Sequence, residues 1–222
     1  MGGTLVNVAL KEGAFMSIYS HLVDKPESID EFLAFGAQVL KDTVNARTTI
    51  DISFKAFLNI FLMYYNTSLD IDIDEMEIIY QDALFDFEKV DKVEELLKKC
   101  KKEGLKLIVL SNTMFSASAI SKILERNSLL KYFDKVIASS ECLVRKPSPI
   151  FFEIGLKEIG LKKEEVMYIG NDYDFDCVGC LLSNINMVFY NRANYKKYEL
   201  FETIKEIKDY SELLEVDLCQ MF

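Results

Sequence analysis

Val166-Met167-Tyr168-Ile169-Gly170-Asn171-Asp172-Tyr173-Asp174-Phe175-Asp176 decides how the rest of this chain is read. Four apolar-leaning residues form a short run, glycine follows at once, and then aspartates stand at alternate positions. A run of that kind is the carboxyl end of a buried parallel strand, which is where open α/β sheets place their sites. Acidic oxygens there suit a hard cation such as Mg²⁺, which binds through a few carboxylates and keeps several waters.

Working outward, helix and strand patterns alternate from Asp91 onward. Val93, Leu96, Leu97 and Cys100 line one helix face, and Gly104 ends that helix. Leu105 to Leu110 is a continuous apolar run, expected of a strand covered on both faces. A helix is expected over Ser116–Arg126 and a strand at Val136–Ala138. A further helix opens at Ser148-Pro149, with an N-cap followed by proline, and closes at Gly160. After the Val166 strand come a helix over Asp176–Leu182, a strand at Met187–Tyr190, and a short strand and small helix over Thr203–Leu214. The fold class is α/β: a doubly wound, Rossmann-like parallel sheet with right-handed crossovers.

Before Asp91 the pattern is helical. Ile29, Phe32, Leu33, Gly36, Val39 and Leu40 recur at three- and four-residue spacings. Ser28, with Glu31 three residues on, is a capping-box signal. Ser53–Tyr65 is a second helix, apolar on most sides and therefore covered by neighbours. Asp70, Asp72 and Asp74 lack the glycine and distal glutamate of a calcium loop and read as a turn into a helix near 74–85. The division is residues 1–12 and 88–222 as the α/β core, with 13–87 as an inserted all-helical subdomain; residues 1–12 read as a loop.

With 222 residues, half of them hydrophobic, a large core is affordable. The net charge of -10 argues against nucleic acid or an anionic membrane as the main partner. No apolar run reaches the ~18 residues of a membrane span. The odd set of five cysteines fits reduced thiols and a cytoplasmic location. Cys177 and Cys180 form a nominal C-x-x-C, but no second ligand pair accompanies them and His21 is the only histidine.

Three strand ends carry polar groups: Ser111-Asn112-Thr113, Arg145-Lys146-Pro147, and the aspartates after Gly170. Taken singly these are a helix cap, a solvated loop and an acidic turn. Together they share one sheet edge. The Ser111 hydroxyl and a backbone N–H suit phosphoryl oxygens, Lys146 suits their charge, and the acids suit Mg²⁺.

The set resembles the haloacid dehalogenase superfamily, mostly Mg²⁺-dependent phosphatases. Leu107–Thr113 is similar to its second motif, Arg145–Phe151 to its third, and Tyr168–Asp172 with Asp176 and Gly179 to its acidic fourth. The resemblance implies phosphate binding by Ser111, Asn112 and Lys146, and a catalytic set of Lys146, Ser111 and Asp176. It implies Mg²⁺ on Asp172 and Asp176, a small phosphorylated substrate, and a helical cap whose His21, Arg47 and Tyr64 are within reach of a ligand. Asn171 stands where the family has its metal-binding aspartate. Gly3-Thr4-Leu5 overlays the tail of the first motif, D-x-D-G-T-L. That register puts the nucleophilic aspartate one residue ahead of Met1, with Gly2 at the place of the acid–base aspartate. It leads to the expectation that the natural chain begins upstream and that its central first strand is missing here. A catalytically inactive phosphate-binding or interaction protein is the alternative, and metal-free carbon–halogen hydrolysis is a third reading.

Overall fold

A computed structural model describes residues 1–43, 49–192, 194 and 204–221. Two short parallel sheets carry the α/β part. In the first, β3 (Ile108–Ser111) pairs with β4 (Lys135–Ala138). In the second, β5 (Met167–Gly170), β6 (Asn186–Tyr190) and β7 (Ile204–Ile207) lie in that order. The crossover helices are α5 (Val93–Lys102), α6 (Ala117–Arg126), α8 (Pro149–Ile159) and α9 (Val178–Ser183), with the single turns α7 (Ser139–Cys142) and α10 (Ser211–Leu214).

Strand residues alternate between two cores, as covering on both faces requires. Val188 and Tyr190 pack into one core with α5 and α6, while Met187 and Phe189 pack into the other with α8 and α9. The doubly wound expectation is met. Of the expected caps, Ser28 accepts from the Glu31 amide, whereas Ser148 heads α8 with no side-chain cap bond; Ser53 caps α3 by accepting from the Ala56 amide. Asp72 caps the helix after the acidic turn.

Four helices stand between β1 (Val6–Leu10) and β2 (Phe85–Lys89): α1 (Ala14–Ser20), α2 (Ile29–Asp42), α3 (Phe54–Tyr64) and α4 (Ile73–Leu84). They join through aromatic rings, with Phe61 against Phe15, Phe32, Phe35 and Phe57. Phe54 carries the contact on to Phe115 at the head of α6, 6.2 Å between ring centres.

Three local expectations are corrected. Residues 6–10 are a strand rather than loop, because β1 pairs antiparallel with β2, Val6 opposite Lys89 and Leu10 opposite Phe85. Residues 85–87 belong to β2 and not to the helical block, since Phe85 and Phe87 alternate with the exposed Asp86 and Glu88. Tyr173–Cys177 is a turn of π-helix, and α9 starts only at Val178, because Asp172 caps the wide turn. Thr203 and Arg47 lie outside the described residues.

Among the described residues the two parallel sheets do not join: β3 pairs with β4 alone, and β5 with β6 alone. Between them lies an apolar cavity of about 250 Å³, bordered by Leu110, Ile169, Leu97 and Phe152.

Candidate functional site

The site lies at the carboxyl ends of β3 and β5. Gly170 ends β5, and a Cβ there would lie 2.4 Å from Asp176 Oδ2. Glycine thus lets the Asp176 carboxylate fold back against the strand end. Asp172 caps the next turn by accepting from the Phe175 amide at 3.0 Å, which swings Asp176 into place. Asp176 Oδ2 then accepts from the Asn171 and Asp172 amides, both at 3.0 Å.

The other oxygen takes side chains. Lys146 Nζ donates to Asp176 Oδ1 at 2.7 Å and to the Tyr168 hydroxyl at 2.7 Å. Tyr168 Oη donates to the same Oδ1 at 3.0 Å. Lys146 and Asp176 are 5% and 3% exposed, so this is a buried ion pair completed by hydrogen bonds. Burial pushes the Asp176 carboxyl up, but the Lys146 charge and hydrogen bond outweigh it and hold the carboxyl below its usual range. Burial, with Asp176 beside it, drives the Tyr168 phenol far above its ordinary value, so it stays a donor. Burial likewise raises the Asp172 carboxyl, against the pull of the Phe175 amide.

The loop bearing Lys146 is fixed by Asn112. Its Nδ2 donates to the Lys146 carbonyl at 2.9 Å, and its Oδ1 accepts from the Lys146 amide at 2.8 Å. Ser111, the last residue of β3, is buried beside it. Arg145 donates to Asp51 at 3.0 Å and lies over the Phe175 ring, 5.0 Å from its centre. Asp51 also accepts from Ser139 and so ties the segment before α3 to the parallel sheets.

Ser111, Asn112, Lys146, Asp172 and Asp176 are therefore brought to one edge, although the Asn112 amide is taken up by the Lys146 backbone. Asp174 is exposed. His21 pairs with Asp70 at 2.8 Å, and Tyr64 stacks on Phe35. Three participants gain a role only from the structure, although Tyr168 and Thr4 fall within the fourth-motif and first-motif stretches. Tyr168 reads simply as a strand residue, though a buried tyrosine needs a partner for its hydroxyl. Asp51 lies far away in sequence. Thr4 donates to Asn171 Oδ1 at 2.7 Å, anchoring the first turn of the chain to the site. The Met1 amine is buried there too; burial, then the Lys146 charge, lowers its pKa from 8.0 to about 5.

The donors do not fit a bound Mg²⁺ well. Both Asp176 oxygens are saturated by four donors, and Asn171 Oδ1 is held by Thr4. That leaves Asp172 as the carboxylate with an oxygen to spare. Among the described residues, three candidate ligands gather elsewhere, at Glu103, Asp217 and Cys219. Cys177 and Cys180 are buried thiols; burial pushes Cys177 up to about 12, and Cys180 rises as well.

The site thus joins a buried lysine–aspartate pair and a buried serine at the carboxyl edge of parallel α/β strands. The sequence pattern of the haloacid dehalogenase-like hydrolases matches residues 32–190, and the chain belongs to that family. It is 39% identical over 80 residues to glyceraldehyde 3-phosphate phosphatase of Methanocaldococcus jannaschii, covering 36% of this chain and 34% of that protein. It is 21% identical over 143 residues to haloacetate dehalogenase H-2 of Moraxella sp., covering 64% of this chain and 62% of that one. The chain thus spans about a third to three fifths of these curated relatives. In structure it is similar to a HAD phosphatase from Thermococcus onnurineus, with a TM-score of 0.64, 20% identity and 96% and 93% of the two chains covered. A 2-haloacid dehalogenase from Pseudomonas syringae gives a TM-score of 0.56 at 16% identity, covering 97% and 94%. Among the described residues no helix is long and apolar enough to cross a membrane.

Proposed function

We propose that this chain forms the body of a phosphomonoester hydrolase acting on a small phosphorylated metabolite. The observation that carries this reading is the buried Lys146 ammonium, held by Asp176 and Tyr168, on a loop whose backbone Asn112 ties to the end of the strand that carries the buried Ser111. A compact buried cation next to a hydroxyl suits a dianionic phosphoryl group. Phosphatases among the relatives favour the same substrate class.

In this reading an aspartate directly ahead of Met1 attacks phosphorus. The P–O ester bond breaks and the leaving oxygen takes its proton from solvent water, since Gly2 offers no acid; a second water then hydrolyses the aspartyl-phosphate to free the aspartate and release inorganic phosphate. Ser111 donates to a phosphoryl oxygen, and Lys146 neutralises charge on the group in transfer. The helical block α1–α4 acts as a cap over this edge. Magnesium enters through the family resemblance alone, and no step is routed through it.

The test is release of p-nitrophenol from p-nitrophenyl phosphate by a version carrying the upstream aspartate, with and without Mg²⁺. Turnover that falls at least about 100-fold in Lys146→Met supports the reading; no turnover under either condition counts against it. Gly2, at the place of the second aspartate, favours a second reading, a phosphate binder without catalysis. Phosphate-induced thermal stabilisation without turnover in the same protein would favour that one.

A further inference from the structure

Asp51 stands between α2 and α3 in the helical block, yet its carboxylate is buried among the loops that follow β3 and β4. Oδ1 accepts from Arg145 Nη1 at 3.0 Å, and Arg145 directly precedes Lys146. Oδ2 accepts from the Ser139 hydroxyl, and Ser139 Oγ in turn accepts from the Thr113 amide at 2.9 Å. Thr113 lies two residues beyond Ser111. One carboxylate thus links the loop of the buried ammonium to the loop of the buried hydroxyl.

The backbone repeats the link on the Lys146 side. The Asp51 amide donates to the Leu143 carbonyl at 2.7 Å, and the Arg145 amide donates to the Thr49 carbonyl at 3.0 Å. These two bonds flank an antiparallel bridge between Ile50 and Val144. Leu143 is held there at φ of 64°, a left-handed backbone that leucine disfavours and keeps only where its surroundings fix it. Arg145 Nε is buried without a hydrogen-bond partner among the described residues, and the guanidinium lies over the Phe175 ring, so the bond to Asp51 sets its direction.

We propose that Asp51 is a positioning residue for the phosphoryl site. Without touching substrate, it fixes Lys146 relative to the Ser111 loop, through Arg145 on one side and Ser139 on the other. The proposal rests on the phosphohydrolase reading above. A tie that only fastened the helical block to the sheets would leave the two loops as they are.

The test uses the 222-residue chain, with inorganic phosphate as the probe, calorimetry for binding and NMR for amide hydrogen exchange. Asp51→Ala is expected to weaken phosphate binding about tenfold or more, since two hydrogen bonds to a charged group are lost. Exchange at the Thr113 and Lys146 amides is expected to quicken about tenfold relative to Val188, buried in β6. Asp51→Asn keeps the shape and loses the charge. It should show both effects at about threefold, and it decides the matter if Asp51→Ala does not fold. Unchanged exchange at Thr113 and Lys146 overturns the proposal. So does equal acceleration at Thr113, Lys146 and Val188, which is general destabilisation. Phosphate bound equally by the parent and both variants overturns it while sparing the phosphohydrolase reading. A parent that takes up no phosphate counts against that reading, and exchange still decides whether Asp51 sets the loops.

Discussion

Lys146 Nζ and Asp176 Oδ1 meet at 2.7 Å, where each side chain is almost wholly withdrawn from water. The pair holds only because each charge is compensated. Removing one partner of a buried pair costs about 3–5 kcal/mol, mostly the penalty on the charge left behind. Asp176→Ala is therefore expected to lower the melting temperature by roughly 6–20 °C. Lys146→Met combined with Asp176→Leu should recover much of that loss, because no lone charge remains. Urea denaturation of both single variants and the double variant measures the coupling. A single variant melting within about 2 °C of the parent would remove the pair from the stability argument.

Tyr168 is the third member of that cluster and separates into ring and hydroxyl. Its ring packs edge-on against Phe152, 5.3 Å between centres. Its hydroxyl bridges Lys146 and Asp176. Tyr168→Phe keeps the ring and leaves the Asp176 carboxylate one donor short. A loss of about 1–3 kcal/mol is expected, read from the midpoint of urea unfolding at constant slope. Tyr168→Leu should cost more, by the lost aromatic packing as well.

Asp176 gives the protein a pH dependence of stability. Burial pushes its carboxyl up, but the Lys146 charge and hydrogen bond hold it below its ordinary 3.8 in the folded state. The folded state thus binds that proton more weakly than the unfolded chain does. The contribution is fully present above pH 3.8 and is lost as pH falls toward the folded value. Urea midpoints should drop as pH is lowered below 3.8, and the drop should be shallower when Lys146→Met and Asp176→Leu are combined.

Where one force dominated, the sequence was enough. Met167–Gly170 and Asn186–Tyr190 are strands because apolar runs must be covered on both sides, and Ser28 caps where its side chain can reach an orphan amide. Ser111, Lys146 and Asp176 converge because parallel strands end together. Two-body arrangements were less legible. The β1–β2 ladder joins Val6 to Lys89 across the whole helical block, and Val8 and Leu10 are exposed, so β1 carries little burial signal. Asn112 reads as a phosphate ligand until its amide is seen bonded in both directions to the Lys146 backbone. Asp176 reads as a metal ligand until its donors are counted.

Gly3 and Asn171 show such an arrangement at its tightest. Gly3 has φ of 76°, a left-handed backbone that side chains disfavour, and a Cβ there would lie 2.3 Å from Asn171 Nδ2. Asn171 cannot easily yield, because its Oδ1 accepts from Thr4 while the Thr4 carbonyl accepts from Tyr210 at 2.8 Å. Gly3→Ala therefore carries two penalties, about 1–2 kcal/mol for the backbone and about 1–3 kcal/mol for the overlap. The two separate in a second background. Asn171→Gly removes the overlap but not the left-handed strain, so Gly3→Ala should cost less there by the overlap share alone. Melting temperatures of the four proteins measure this directly. If Gly3→Ala costs the same in both backgrounds, the side chain of Asn171 is not what keeps residue 3 a glycine.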